Sequence, residues 1–476
     1  MPDPIKLRVV AVELYERPVH LRLPFRFGVV TLTEAPQAFL RARVRLADGR
    51  EGWGAAAEML APKWFDKNLA LTNEANFEQL REALRIAADA YTHDTVPRTP
   101  FGLFAAHYRE VLRAGAATGL NPLVASFGPA LLDRAVLDAA GKIAEVSFYD
   151  AIRGNLVGID ATLTPELAGF DLPGFLAALV PSDALAVRHT VGLVDPITSA
   201  DAAERVNDGL PETLEEVVRA YGHRYFKLKV GGNVDADLDR LGRIAAVIDT
   251  IPSAYQVTLD GNEQYQDVDG IAELWRRILA TPSLSRLAAS TLFIEQPIGR
   301  AHAFDRDVSA LARSKPMIID ESDGDLDAFP KARALGYAGV SSKACKGFYK
   351  SILNAARCAQ WTAAGEGPCF MSAEDLTCQA GLAVQQDLAI VSLLGLRHVE
   401  RNGHHYVNGM ASLPRTEQEA FLRAHPDLYE DRFGAVRLRI ASGDVRIGSL
   451  AGPGFASGAE PHWPAMTRID PSPRTA

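Results

Sequence analysis

Lysine and carboxylate side chains recur at the ends of short apolar runs in the second half of this sequence. "YFKLK" ends on Lys227 and Lys229, "VTLD" on Asp260, "TLFIE" on Glu295, "MIID" on Asp320 and "GVSSK" on Lys343. Counted from Lys229, the successive intervals are 31, 35, 25 and 23 residues, each about one strand, one helix and their loops. Three carboxylates brought together repel unless a cation sits among them. With no cysteine or histidine in the set, all-oxygen ligation suits Mg²⁺, with Mn²⁺ as the other choice. Side chains alternate along a strand, so Lys227 and Lys229 share a face, and two neighbouring ammonium groups depress the pKa of at least one. A neutral lysine beside a cation is a base. Lys343 lies four strands on and would approach the same point from the other side, as stereochemical inversion requires.

Lys343 and Lys346 are three residues apart and cannot both point inward from a regular strand. Lys343, nearer the strand, is the expected base, and Lys346 a supporting residue. Asn262, two past Asp260, faces the same side and is placed to orient a ligand. Glu321, beside Asp320, is a further substrate-contacting or supporting candidate. Each acid alone would equally suit a helix cap, but three in succession beside a lysine pair favour a metal site. Glu374 and Asp375 read as substrate contacts or as a helix cap. His398, Glu400 and Asn402 alternate onto one face, which lines a pocket or serves structure alone.

The elements that position these groups are legible in the hydrophobic pattern. From about Leu185 strand-like and helix-like segments alternate, giving about eight strands separated by helices, the pattern of a (β/α) barrel. A doubly wound sheet is the alternative, but it does not converge so many strand ends on one point. Residues 1 to about 60 read as a β-meander with Asp48-Gly49 at a hairpin turn, and helical periodicity follows. Residues 155–183 read as an irregular connection or insertion. After Asn402 the alternation stops. "AVRLRIASGDVRIGSLAGPGF" reads as a hairpin turning at Gly443-Asp444 and packing back on the N-terminal region, and the last twenty residues read as loosely ordered.

The run K-x-K, D-x-N, E-Q-P, D-E-S and then lysine resembles the enolase superfamily, in particular its mandelate racemase/muconate lactonizing enzyme branch. The likeness covers nearly the whole chain. "LLDRAVLDAAGKIAEVSFYDAIRGN" resembles the helix leading from cap to barrel, and "VRIGSLAGPGF" the closing hairpin. The resemblance implies an α/β fold: a modified TIM barrel, (β/α)7β, under an α+β capping domain built from the N-terminal region and the C-terminal segment. The expected boundaries are 1–155 for the cap, 156–184 for the connection, 185–405 for the barrel and 406–476 for the returning segment. By the same resemblance Asp260, Glu295 and Asp320 bind Mg²⁺, Lys229 and Lys343 form the acid/base pair, and Lys227 assists Lys229 or meets the substrate carboxylate. The implied reaction removes the α-proton of a small carboxylate substrate and leaves a metal-stabilised enolate. Racemase, epimerase, cycloisomerase and, by β-elimination, dehydratase (lyase) outcomes all remain open. So does a barrel that binds a carboxylate or metal without turnover.

Departures from the family pattern cluster where substrate is recognised. "KGFYKS" has one glycine where relatives carry two, and Glu400-Arg401-Asn402 stands where dipeptide epimerases show Asp-x-Asp. After "GWG", Ala55-Ala56-Ala57 precedes Glu58. The cap segments "HLRLPFRFGVV" and "LAPKWF" are expected as specificity loops, with Arg22 or Arg26 meeting a second anionic group and Phe25, Phe27 and Trp64 forming an apolar wall. His404-His405 lacks metal-ligand spacing with any other histidine and reads as surface. The first barrel strand has only His189 and no H-x-H pair for a zinc hydrolase.

The 476 residues carry a net charge of −9, which offers no basic field for nucleic acid. No apolar run reaches the ~18 residues of a membrane span, and the N-terminus alternates like a strand and not a signal peptide. Cys345, Cys358, Cys369 and Cys378 show no C-x-x-C pair and read as buried reduced thiols, which suits the cytoplasm. The relatives are often multimeric, so a homo-oligomer is a further implication of the resemblance.

Overall fold

In the computed structural model, which describes residues 3–202 and 204–470, an antiparallel meander comes first. Strands β1 (Leu7–Phe27), β2 (Val30–Leu46) and β3 (Glu51–Met59) pair in sequence order, with Asp48-Gly49 at the β2–β3 turn as the sequence predicts. Gly49 has φ of 91°, a conformation that favours glycine. The segment expected as a loop, "HLRLPFRFGVV", is instead the continuation of β1, its turn at Gly28-Val29 and the start of β2. Pairing between β1 and β2 lapses between His20 and Phe25 and resumes at Phe25–Leu32.

Three helices cover one face of this sheet: α1 (Asn73–His93), α2 (Pro100–Ala117) and α3 (Pro122–Ala144). Thr72, Thr99 and Asn121 cap them, each side-chain oxygen accepting a backbone N–H from the first turn. α3 lies almost wholly buried, and Glu145 in left-handed conformation ends it. The segment "LLDRAVLDAAGKIAEVSFYDAIRGN", expected as one helix leading from cap to barrel, is thus divided between α3 and a second helix, Phe148–Arg153. Gly54 lets α3 approach β3: a Cβ there would stand 2.1 Å from the backbone nitrogen of Ala139.

Eight parallel strands follow: β4 (Ala184–Val191), β5 (Tyr225–Lys229), β6 (Gln256–Asp260), β7 (Thr291–Glu295), β8 (Met317–Ile319), β9 (Gly339–Ser342), β10 (Phe370–Ala373) and β11 (His398–Arg401). Their hydrogen-bonded order is β10-β9-β8-β7-β6-β5-β4-β11. The two ends of that path face each other, and Arg188 on β4 reaches across the interior to donate to the Ala373 carbonyl on β10 at 2.7 Å. The sheet therefore curls into a barrel, and the doubly wound alternative falls. Helices such as Val234–Ile248, Val268–Ala280 and Phe348–Ala363 pack their apolar faces outside it.

Two further strands, β12 (Tyr429–Arg432) and β13 (Ala435–Leu438), form a hairpin. Strand β14 (Asp444–Arg446) does not extend it. It pairs antiparallel with Ala184–Ala186 of β4, which precede the first β5 partner and so leave an edge free. The chain then returns to the cap. Ser147 bridges Pro453 and Gly454, Phe455 stacks on Phe148 with centroids 3.8 Å apart, and β15 (Thr467–Arg468) pairs with β1. The tail expected to be loose is thus fixed as far as β15, while residues 471–476 lie outside the described residues. Among the described residues, no helix is long and apolar enough to cross a membrane.

Candidate active site

Strand register brings the predicted groups together at the carboxyl ends of β5 to β9. Lys229 is aligned with Asp260, Asp260 with Glu295, and Glu295 with Ile318, two residues before Asp320. All are buried. Lys229 Nζ donates to Asp260 Oδ2 at 2.6 Å, and Lys343 Nζ to Asp320 Oδ2 at 2.7 Å. The chain leaves β6 and β7 through left-handed residues, Asn262 with φ of 39° and Gln296 with φ of 31°. Such backbone costs free energy and persists where neighbours over-determine it.

At Gln296 the over-determination is visible. Its Oε1 accepts the backbone N–H of Asp320 (2.8 Å) and of Ser322 (3.1 Å), and its Nε2 donates to the Ile298 carbonyl (2.8 Å) and to Ser322 Oγ (2.7 Å). One buried amide thereby ties the end of β7 to the end of β8 and sets where Asp320 stands.

Above these groups a narrow cavity of about 20 Å³, room for about one water, is lined by Lys229, Lys343, Asn262, Asp375, Glu400 and Asn402. Phe25, Phe27, Leu32, Trp64 and Leu376 form its apolar side. Trp64 presents its ring 4.1 Å from Lys343 Nζ. The expected apolar wall is therefore in place. Arg26 is not in it: on a strand, Phe25 and Phe27 turn inward and Arg26 between them is exposed. Arg22 is engaged elsewhere, donating twice to Asp208 at 2.6 and 2.8 Å.

Lys227 does not line the cavity. Its Nζ stands among four carboxylates: Glu374 (2.7 Å), Asp260 (2.9 Å), Glu295 (2.9 Å) and Glu400 (3.0 Å). Burial favours the neutral amine, but these four charges outweigh it and hold Lys227 well above its ordinary value. The pKa depression expected from the lysine pair is therefore absent at Lys227. At Lys343, burial is likewise outweighed by Asp320, and the pKa is raised. Asp320 is driven down, burial being overcome by Lys343 and Lys346.

The remaining candidates sort by contact. Glu374 neither caps a helix nor lines the cavity; it bonds Lys227, Arg188 and Ser372 inside the barrel. Glu400 accepts from Thr190 Oγ1 (2.6 Å), Lys227 and the Asp375 backbone N–H. His398 stacks on Tyr225 lower down, so of its trio only Glu400 and Asn402 reach the cavity. Glu321 is also outside the lining. It accepts from Asn262 Nδ2 at 2.9 Å, and burial, then the charge of Asp320, push it up to about 6. Lys346 Nζ donates to Ser341 Oγ (2.7 Å) and lies 3.0 Å from Asp323, outside the cavity lining. Glu58 is paired with Arg134 and accepts from Cys378 Sγ at 3.0 Å, away from the cavity. The four cysteines are free.

Asp260, Glu295 and Asp320 offer only oxygen, as a hard divalent cation prefers. Glu295 Oε2 lies 2.9 Å from Lys227 Nζ but outside hydrogen-bond geometry, a buried acceptor still without a hydrogen bond. In these respects the three acids fit such an ion. Their oxygens are turned onto lysines, however. Among the described residues, the cluster whose ligand atoms all lie within 4.8 Å of one another is a histidine trio, His189, His223 and His404. His404 and His405 thus do not form the surface pair their spacing suggested. His405 is buried and His404 half-buried beside His189 and His223, and desolvation drives both rings below their ordinary pKa.

No protein-family model matches this sequence, and no curated protein matches it. Solved structures do. A muconate lactonizing enzyme from Pseudomonas fluorescens, complexed with muconolactone, matches with a TM-score of 0.59 at 18% identity, over 96% of this chain and 97% of that one. This chain has its fold. An N-succinyl Arg/Lys racemase from Bacillus cereus matches at 0.60 and 17% identity, covering 96% of each chain. An enolase from Bradyrhizobium, complexed with magnesium and mandelic acid, matches at 0.59 and 15%, over 98% of this chain and 99% of that one. The shared architecture is a barrel of parallel strands under a cap. Sequence reasoning did not reach Arg188, Thr190 or Gln296. The signal available for the first was a lone arginine inside the strand-like run "ALAVRHTV".

Proposed function

We propose that this protein abstracts the α-proton of a small carboxylate substrate and returns a proton to the same or a neighbouring carbon, as a racemase, epimerase or cycloisomerase. The observation that carries the reading is that Lys229 and Lys343, from strands four apart, line one cavity with three buried carboxylates directly behind them. The barrel shared with racemases and lactonizing enzymes supports it.

Asp260, Glu295 and Asp320 would hold a divalent cation, Mg²⁺ by the chemistry of the donors, which when bound offsets the charge a carboxylate gains as its α-proton leaves. Lys229 and Lys343 hold and move the protons at their Nζ atoms. Each now donates to one of the acids, so each becomes a base as that acid's charge is drawn elsewhere. Asn262 and Asn402 each keep a buried amide oxygen without a partner, suited to a donor group on the substrate. The aromatic side favours an apolar substituent on the α-carbon and sheds water from the reacting centre.

The test is α-proton exchange in D₂O, followed by NMR over a panel of aryl- and alkyl-substituted α-hydroxy, N-acylamino and unsaturated acids with Mg²⁺. Exchange is expected, abolished by EDTA and lowered at least about a hundred-fold in Lys229→Ala and Lys343→Ala. Exchange that survives EDTA, or that both variants retain, overturns the reading.

A further inference from the structure

We propose that His189, His223 and His404 form a second metal site, for a late first-row transition metal of the zinc class, on the outer side of the barrel wall. The inference does not depend on the function proposed above. On β4, Arg188 and Thr190 face the interior, where they bond Glu374 and Glu400, so His189 between them faces out. His223 stands two residues before β5, and His404 just past the end of β11. Three separate elements thus deliver one imidazole each to the same point.

The rings make a nearly equilateral triangle, with centroids 5.3 Å apart for His189–His223 and 5.5 Å for each of the other two pairs. A metal held at about 2.0–2.1 Å by three imidazole nitrogens places ring centroids roughly 5 Å apart. Here the potential ligand nitrogens already lie within 4.8 Å of one another. The 5.3 Å pair of His189 and His223 also lies within ring-stacking range, but stacking leaves their bare ring nitrogens without a partner.

Hydrogen bonding points the same way. His223 Nδ1 lies 3.2 Å from the Val187 carbonyl, which selects the tautomer with the proton on Nδ1 and leaves Nε2 bare. That is the way a second hydrogen bond orients a ligand imidazole. His223 Nε2, His189 Nδ1 and both ring nitrogens of His404 are buried without a hydrogen-bond partner, as is Nδ1 of the adjacent His405. Packing alone accounts for one buried neutral histidine, but neighbouring neutral rings, each with one lone-pair nitrogen and with ring nitrogens left unpartnered, ask for an acceptor of lone pairs. No carboxylate belongs to the trio, so its ligand set is neutral and all nitrogen, unsuited to Mg²⁺ and suited to zinc, cobalt, nickel or copper. Three protein ligands leave a fourth position for water or a small anion.

Chelator-stripped whole protein titrated with Co²⁺ in the presence of excess Mg²⁺ tests the assignment. One equivalent is expected to bind with the visible absorption of a four-coordinate cobalt–imidazole site, unaltered in Asp260→Asn. In His404→Ala, whose lost ring breaks no hydrogen bond, affinity is expected to fall about a hundred-fold, with an unchanged circular dichroism spectrum. X-ray absorption on the Zn²⁺-loaded wild type, which needs no variant, should show about three imidazole ligands. Fewer than two imidazoles, no stoichiometric cobalt binding, or equal binding in folded His404→Ala overturns the proposal.

Discussion

Replacing Lys227 with methionine removes the one cation shared by four buried carboxylates. Two of those acids keep a partner: Asp260 has Lys229, and Glu374 has Arg188. Glu400 keeps Thr190 Oγ1 and the Asp375 N–H. Glu295 has only Lys227, and burial followed by the charges of Asp260 and Glu374 already pushes its pKa well up. The variant therefore strands one carboxylate outright and weakens another. Breaking a buried ion pair on one side costs about 3–5 kcal/mol, and uptake of a proton by Glu295 sets the lower end of that range. Urea unfolding at pH 7, with EDTA and with Mg²⁺, reads it out. The loss should be about 3–5 kcal/mol in EDTA and should shrink in Mg²⁺ more than the wild type gains, because a cation at these acids then supplies the missing charge. The reasoning fails if Lys227→Met costs under about 1 kcal/mol in EDTA, since the ion cage would then contribute nothing.

Gln296→Leu removes four side-chain hydrogen bonds, three to Asp320 and Ser322 and one to the Ile298 carbonyl, and should cost about 2–4 kcal/mol in denaturant unfolding; it should also weaken Mg²⁺ binding by calorimetry, which a purely structural tie would leave alone. Gly54→Val must push α3 off β3 and should lower the thermal midpoint by several degrees, whereas Gly242→Ala, with open space around it, should not lower it. Burial drives His223 from 6.5 to about 4. Below pH 6.5 the unfolded chain takes up a proton the native ring refuses, so stability should fall by about 3 kcal/mol between pH 6.5 and 4, less whatever other groups return. A urea midpoint that stays flat from pH 7 to 5 would contradict this.

What could be read in the sequence was what periodicity and charge carry. The eight strand ends, the identities of Lys229, Asp260, Glu295, Asp320 and Lys343, and the turn at Asp48-Gly49 follow from alternation and local turn chemistry, which act over a few residues. Contacts between distant strands were not legible. Lys227 looked like a member of a repelling pair because its four acids come from β6, β7, the end of β10 and β11. His189, His223 and His404 lie far enough apart in the chain that no spacing rule joins them; only closure of β4 between β5 and β11 does. Arg26 was expected at the site because the resemblance made "HLRLPFRFGVV" a specificity loop. On a strand its neighbours Phe25 and Phe27 take the inner face, and it takes the outer.

The lapse in pairing between His20 and Phe25 gives the roof of the cavity a joint. Beyond it, the hairpin tip carries Phe25, Phe27 and Leu32 over Lys229 and Lys343, while the rest of β1 and β2 stays in register with the cap sheet. The hairpin tip is one of the walls that bound the space of about 20 Å³. The joint lets it tilt without unzipping the sheet, against the hydrogen bond from Leu193 N–H to the Arg26 carbonyl and the Arg22–Asp208 pair. A substitution that stiffens this joint would slow entry and exit for every ligand of the cavity alike.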